Sequence, residues 1–252
     1  MAELRNPAVV IPALNESLRI REVVEQTLRH CPWVIVVDDG SDDGTAQCLE
    51  GLPVTVLRHP QRRGKGAALR TGFAEAHARG ACGVLTLDGD GQHDPADLPR
   101  LLAAAARHPQ RIVIGARLRH RAAAPTHRRM ANAFGDWGVA WAAGHRIADT
   151  QSGQRYYPAE VLALGEVPGE DFVFEAQLLI SAARRLGVRC VSIPVETRYR
   201  GADYPMRCSH FRPLRDLYRI TSHVVRQVLA HGDVWNEYAR VRAQAPVIDR
   251  EA

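Results

Sequence analysis

The sequence predicts an α/β fold: a mostly parallel sheet with helices on both faces and an amphipathic helix near the C-terminus. Three observations predict it. Short apolar runs alternate with segments of helical spacing five times between Ala8 and Ala116. The runs are continuous rather than alternating, the pattern of strands buried on both faces of a parallel sheet. Asp38, Asp39, Asp88 and Asp90 each directly follow such a run, and in parallel sheets the residues after strands gather at the carboxyl end, where ligands bind.

The elements follow in order. Ala8–Leu14 is apolar and reads as a buried strand. Ser17 is expected to cap a helix running to about His30, with Leu18, Val23, Val24 and Leu28 in helical spacing. Trp33–Val37 is a second strand, broken by Asp38-Asp39-Gly40. Ser41 is expected to cap a short helix, with Asp42 and Asp43 in its first turn where they suit the helix dipole. Val54–Leu57 is a strand, Lys65–Arg79 a helix closed by Gly80, and Val84–Leu87 a strand ending at Asp88. Pro95–Arg107 is a helix and Arg111–Ala116 a strand. Further on come a helix over Arg128–Gly144, a loop and strand over Asp149–Tyr157, a helix over Asp171–Leu186 and a strand over Val188–Val195. A loop over Gly201–His210 and a basic amphipathic helix over Pro213–His231 complete the pattern. Residues past about Arg240 carry no strong signal and are expected to be flexible. The division is a catalytic unit over 1–200, then a lid loop, basic helix and tail over 201–252.

Composition bounds the function. The 252 residues are 46% hydrophobic and 24% charged, ordinary for a globular protein. The five cysteines are scattered, odd in number and without a CxxC pair, which argues against a disulfide framework or zinc cluster and for a reducing compartment. No apolar stretch reaches the roughly 20 residues that span a bilayer. A cytoplasmic location is expected. The net charge of +5 concentrates where Arg and His crowd 117–129 and 198–226.

Three segments carry chemistry. In Asp88-Gly89-Asp90-Gly91-Gln92-His93-Asp94, two carboxylates on a tight turn can face one hard cation. Mg²⁺ or Mn²⁺ accepts one or two carboxylates and completes its shell with substrate phosphates. Gln92 offers another oxygen. An EF-hand is excluded, because the sixth position is His93 and the twelfth Pro99. Asp38-Asp39-Gly40-Ser41 places carboxylates where they can accept from a base N–H or ribose hydroxyls. Arg62-Arg63-Gly64-Lys65-Gly66, before a helix, suits a diphosphate. It is neither a Walker A loop nor G-x-G-x-x-G, since position 69 is Leu.

In combination, V-I-P-A-L-N-E (10–16), V-V-D-D-G-S-D-D-G-T (36–45), R-G-K-G-A-A-L (63–69) and L-D-G-D-G-Q-H-D-P (87–95) resemble glycosyltransferase family 2. The likeness is greatest to the branch of dolichyl- and polyprenyl-phosphate sugar transferases. It continues through D-T-Q-S-G-Q-R (149–155) and E-D-F-V-F-E (170–175). The resemblance implies a GT-A fold, a nucleotide-sugar donor, Mg²⁺ or Mn²⁺, and inversion at the anomeric carbon. It implies that Pro12, Leu14 and Glu16 line the nucleotide pocket, with Asp38, Asp39, Lys65 and Asp88 on the donor and Asp39 at its base or ribose. It implies Asp88, Asp90 and Gln92 as metal ligands, and Arg117 and Arg155 near the acceptor phosphate or donor diphosphate. Gln154 departs from the branch's usual aromatic, which bears on acceptor specificity.

A hydroxyl acceptor would need a general base, for which Asp171 is the candidate. A lipid-phosphate acceptor would need none, and Arg117, Arg128 or Arg129 would position it. Ser209-His210-Phe211 closes a segment that could order over bound donor as a lid. The helix after Pro213 pairs Leu214, Leu217, Ile220, Val224 and Val228 with Arg212, Arg215, Arg219 and Arg226. Its apolar stripe either packs on the core or lies peripherally on the inner membrane surface. Two other functions compete. A sugar-1-phosphate nucleotidyltransferase should open with a G-x-G-T-R-type loop, where this chain has Pro12-Ala13-Leu14-Asn15-Glu16. A non-catalytic basic module binding nucleic acid leaves the acidic strand ends unexplained and lacks known signatures, so no nucleic-acid partner is expected.

Overall fold

The computed structural model describes residues 6–118, 126–164, 167, 172–196, 213–230 and 232–251. Its sheet has seven strands: β1 (Ala8–Ala13), β2 (Val34–Asp38), β3 (Thr55–Arg58), β4 (Gly83–Thr86), β5 (Arg111–Ala116), β6 (Arg155–Pro158) and β7 (Arg189–Pro194). They lie in the order β3-β2-β1-β4-β6-β5-β7. β6 runs antiparallel to both its neighbours and the other pairs are parallel. The expected mostly parallel α/β architecture is therefore the one observed.

Eight α-helices are described: α1 (Ile20–Leu28), α2 (Lys65–Ala78), α3 (Leu98–Arg107), α4 (Thr126–Ala143), α5 (Ala159–Leu162), α6 (Phe172–Leu186), α7 (Pro213–Ala230) and α8 (Val234–Arg242). Successive strand residues feed opposite cores. Val9, Ile11, Val34 and Val36 pack with α1 and α3 through Ile20, Val24, Leu98 and Leu101. Val10, Ile35 and Val37 pack with α2, α4 and α6 through Leu69, Phe73, Val139, Phe174 and Leu178. Strands apolar on both sides are what two covered faces require.

The departures from expectation are local, and each has a cause. Ser17 caps no helix: α1 begins at Ile20, and Ser17 instead gives its amide to Asp43 Oδ2 at 3.1 Å. Leu18 is left outside the helix and exposed. Ser41 caps no helix either. Its hydroxyl accepts the Asn15 amide at 2.8 Å, and the chain beyond makes a single 3-10 turn at Gln47–Leu49. Both polar residues serve one task, lashing the segment after β1 to the segment after β2. The Pro95–Arg107 helix opens as a 3-10 turn, with Asp94 accepting the Ala96 amide.

The residues past Arg240, without pattern in sequence and expected to be flexible, are docked. α8 sets Tyr238 edge-on to Trp137 and Trp141, each 5.1 Å between ring centroids. Glu237 meets Arg184 of α6 at 2.7 Å. Val247 O and the Asp249 amide then bond Ser192 of β7, at 2.9 and 2.8 Å, and Asp249 pairs with Arg107 at 2.7 Å.

Candidate active site

Strand order reverses between β1 and β4, which are parallel neighbours with Val9 opposite Leu85. At such a switch point the loops after the two strands diverge and leave a crevice at the carboxyl end of the sheet. Pro12, Leu14 and Glu16 lie on one side, and Asp88 and Asp90 on the other. Because β6 runs the opposite way, the 149–154 segment before it returns to this same end. Arg117 arrives there from β5. The chain direction of every strand thus brings sequence-distant motifs to one place.

The loop after β1 turns through Asn15 at φ 56°. Its amides at Asn15 and Glu16 go to Ser41 Oγ and Thr45 Oγ1, and Asn15 Oδ1 accepts the Asp42 amide. Asp38 accepts the Ser41 amide at 2.9 Å and pairs with Arg58 at 3.2 Å. Asp39 is wholly committed inside. Its Oδ1 meets His59 Nδ1 at 2.7 Å and the Arg63 amide at 2.9 Å, while Oδ2 accepts the Gly64 amide at 2.7 Å. In this arrangement Asp39 shapes the loop that leads into α2. Gly40 lets that loop pass: a Cβ there would lie 2.6 Å from Gln61 C, and φ is 78°. Arg62 and Arg63 remain exposed, and Lys65 begins the helix.

Lys65 Nζ stands 2.8 Å from Asp88 Oδ1 and 3.2 Å from Glu175 Oε2 on α6. Burial, the largest influence, works against charge on Asp88, but Lys65, His93 and Arg155 together outweigh it and hold the carboxyl below its ordinary range. Asp90 goes the other way: burial, then the Asp88 charge, raises its carboxyl. Its Oδ1 accepts the Gln92 amide at 2.9 Å, and Arg19 holds its carbonyl at 2.8 Å. Asp88 lies flat against Gly153, where a Cβ would come within 2.3 Å of Oδ2. His93 is buried with Nδ1 unpartnered, and desolvation lowers its pKa.

Behind this first layer the structure spends charge on support. Asp149, fully buried, takes Arg117 through two guanidinium contacts at 2.9 and 3.0 Å and its amide at 3.1 Å. Asp136 on α4 accepts both the amide and the hydroxyl of Thr150. Arg155, expected at the phosphates, is instead 1% exposed. It donates to Thr150 O and Tyr157 Oη and lies 3.7 Å from Glu175. It sits there because β6 is an interior strand, so a side chain leaving its face enters the core. Arg155 therefore braces Thr150 and Glu175 from inside. Gln154 is buried too, and donates to Asp94 O at 3.0 Å, tying the segment before β6 to the acidic loop.

Of the sequence candidates, Pro12, Leu14, Glu16, Lys65, Asp88, Asp90, Gln92 and Arg117 lie on segments at the carboxyl end of the sheet, and Asp38, Asp39 and Arg155 at the same end are buried. Asp171, the side chains of Arg128 and Arg129, and the Ser209-His210-Phe211 segment lie outside the described residues. Sequence reasoning assigned no role to Asp149 or Glu175, although both stand in motifs it quoted. It also missed Asp136 and His59, whose partners come from other elements.

The donor set fits a hard divalent cation. Asp88 and Asp90 are carboxylates near enough for one charge to disfavour the other, a repulsion that a cation would relieve. Among the described residues, no group of three or more His, Cys, Asp or Glu side chains gathers at metal-binding spacing. The remaining positions would fall to substrate oxygens, as Mg²⁺ and Mn²⁺ commonly arrange.

Comparison with known proteins bears on the family and the fold. Residues 8–158 match the model of glycosyl transferase family 2. The chain is 32% identical over 204 residues to the undecaprenyl-phosphate mannosyltransferase of Micrococcus luteus, covering 74% of this chain and 81% of that one. It is 28% identical to the UDP-N-acetylglucosamine–dolichyl-phosphate N-acetylglucosaminyltransferase of Methanococcus voltae, over 61% and 70% of the two chains. In fold it resembles glucosyl-3-phosphoglycerate synthase of Mycobacterium tuberculosis, solved with Mn²⁺, UDP and glucosyl-3-phosphoglycerate. The TM-score is 0.61 at 22% identity, over 96% of this chain and 81% of that one. With the matched segment running from β1 through β6 and so spanning the switch-point crevice, the chain belongs to glycosyl transferase family 2 and is a glycosyltransferase.

Proposed function

We propose that this glycosyltransferase moves a sugar, with inversion, from a UDP- or GDP-sugar to a polyprenyl or dolichyl phosphate at a membrane face. One observation carries the reading: Asp88 and Asp90 at the switch point, opposite a lysine that opens α2. The names of the relatives supply the acceptor class.

In this reading Pro12, Leu14 and Glu16 flank the nucleotide. Asp38 and Asp39 shape the loop beside it. Asp88, Asp90 and Gln92 hold Mg²⁺ or Mn²⁺, which when bound would stabilise charge on the departing diphosphate. Lys65 stands at an α-helix N-terminus, where anions are favoured. The acceptor phosphate is already an anion, so attack on the anomeric carbon requires no proton to leave first. Arg117 would orient it, its guanidinium held in plane by Asp149. Arg155 supports Glu175 and the 150–153 turn rather than touching phosphate.

The experiment is a thermal-shift panel of UDP- and GDP-sugars with and without Mn²⁺, followed by transfer of labelled sugar to a polyprenyl phosphate. A true donor at a hundredfold excess over its Kd stabilises by about 2.7 kcal/mol. Asp90→Ala is expected to abolish the Mn²⁺-dependent shift. An unaltered shift in that variant, or turnover undiminished by chelator, refutes the site. Asp171→Asn separates the acceptor classes. A phosphate acceptor predicts turnover within about threefold of wild type, whereas loss of a base acting on a hydroxyl costs roughly 100-fold or more.

A further inference from the structure

The two oxygens of Asp88 have different surroundings. Oδ1 carries the Lys65 ammonium at 2.8 Å. Oδ2 faces the backbone at Gly153, so closely that a single added carbon would sit 2.3 Å from it. A divalent cation bound to Asp88 needs an oxygen edge, and the ammonium is the group that can leave it. Lys65 also has a second anion to hold, Glu175 at 3.2 Å, itself kept in place by Arg155 at 3.7 Å. The lysine is therefore suspended between one carboxylate on the loop after β4 and another on α6.

We infer that Lys65 is a resident counter-cation: it holds Asp88 until donor diphosphate draws it off, so that metal and donor load together and neither loads well alone. The inference rests on the reading of Asp88 and Asp90 as cation ligands. Two bare carboxylates in a half-buried crevice repel each other, and the ammonium compensates one of them. Arrival of a diphosphate offers Lys65 a stronger anion at the start of its own helix. Asp88 is then free for the metal, and the metal bridges it to the same diphosphate. Glu175 sets the balance by keeping part of the ammonium's attraction away from Asp88. Coupling of this kind is reciprocal: donor tightens metal by the factor by which metal tightens donor.

The test is Mn²⁺ binding itself, read by calorimetry or by loss of the free Mn²⁺ electron-spin-resonance signal, without turnover. Wild-type enzyme is titrated with Mn²⁺ alone and with saturating UDP. UDP is expected to tighten Mn²⁺ by about tenfold or more, the ratio corresponding to about 1.4 kcal/mol. Lys65→Met is expected to bind Mn²⁺ alone about tenfold tighter than wild type, with the UDP-dependent gain reduced to less than about threefold. Arg62→Met, which removes an exposed charge from the same loop, is the control for simple loss of positive field. If it tightens Mn²⁺ as much as Lys65→Met does, the inference fails. The inference also fails if Lys65→Met binds Mn²⁺ no tighter than wild type. Should circular dichroism show that Lys65→Met does not fold, Glu175→Gln decides. Without the Glu175 charge, Lys65 should hold Asp88 harder, so Mn²⁺ alone binds more weakly and the UDP-dependent gain grows; an unchanged gain overturns the inference. Asp90→Asn tests the underlying reading separately. Mn²⁺ affinity that survives in it removes both the cation site and the inference, whereas its loss there with an unaltered Lys65→Met removes the inference alone.

Discussion

At the residue scale the site depends on groups with no room to move. Gly153 is the plainest case. An alanine there would press its Cβ into Asp88 Oδ2 and Cγ, at 2.3 and 2.8 Å, so the carboxylate would have to shift. Gly153→Ala is expected to lower kcat/KM by about tenfold or more through displacement of Asp88. Its Tm should change little, since the strain falls on one loop side chain. A large loss of Tm with kcat/KM preserved would contradict this. Asp39 is a second such group, a buried carboxylate bonded through both oxygens. Asp39→Ala leaves the buried Gly64 amide and the Arg63 amide without their acceptor, at a cost on the order of 3 kcal/mol. Urea unfolding should record that loss. The sequence identified Asp38, Asp39, Asp88, Asp90 and Lys65 because each stands beside a strand end or helix start. It could not tell which carboxylates face the crevice, because that depends on partners such as His59, Glu175 and Gly153 contributed by distant elements. The Gln154 departure is informative for the same reason. Its side chain ties the segment before β6 to Asp94.

At the element scale, strand and helix placement was largely legible, because continuous apolar runs and helical spacing are local patterns. Caps were less so. Ser17 and Ser41 look like helix caps in a one-dimensional reading, yet each is engaged across the gap between β1 and β2. α7 resolves a question the sequence left open. Val224 and Val228 are buried with Ile220 packed beside them, so the described part of its apolar stripe faces the core. What remains outward is Val225 and Leu229, with Trp235 at the start of α8 76% exposed. Arg226 of the same helix is exposed as well. Apolar side chains beside cations suit a surface of anionic lipid. The enzyme is expected to sediment with phosphatidylglycerol vesicles at low salt and to release near 1 M salt, where the Debye length falls to about 3 Å. Leu229→Ser with Trp235→Ser should weaken the binding without altering the fold. Absence of low-salt binding by the wild type removes the membrane contact. No helix among the described residues is long and apolar enough to cross a bilayer.

At the scale of the whole molecule, stability carries a pH signature. His145 is buried, its Nε2 accepts the Cys190 amide at 3.0 Å, and desolvation drives its pKa from an ordinary 6.5 down to about 4. Below the ordinary value the unfolded chain takes up a proton that the folded chain refuses. Folding stability therefore declines as pH falls through the interval from about 6.5 to about 4, by on the order of 3 kcal/mol from this residue. His145→Gln keeps an acceptor for Cys190 and cannot titrate. Its denaturation midpoint should fall less than that of wild type between pH 7 and pH 4.5, and parallel curves would refute the assignment. Nothing in the local sequence marks His145, since its burial comes from packing between the end of α4 and the start of β7.

The tail that bonds Ser192 closes the molecule in another sense. β7 is the last strand of its sheet, and a last strand presents unpaired amides and carbonyls along its open side. Val247 and Asp249 satisfy the Ser192 pair, and Arg107 pins Asp249 over it. A chain cut after Arg242 would uncover that ladder and offer it to another copy. Light scattering should then reveal self-association, and catalysis per folded monomer should be unimpaired, because the crevice is built elsewhere.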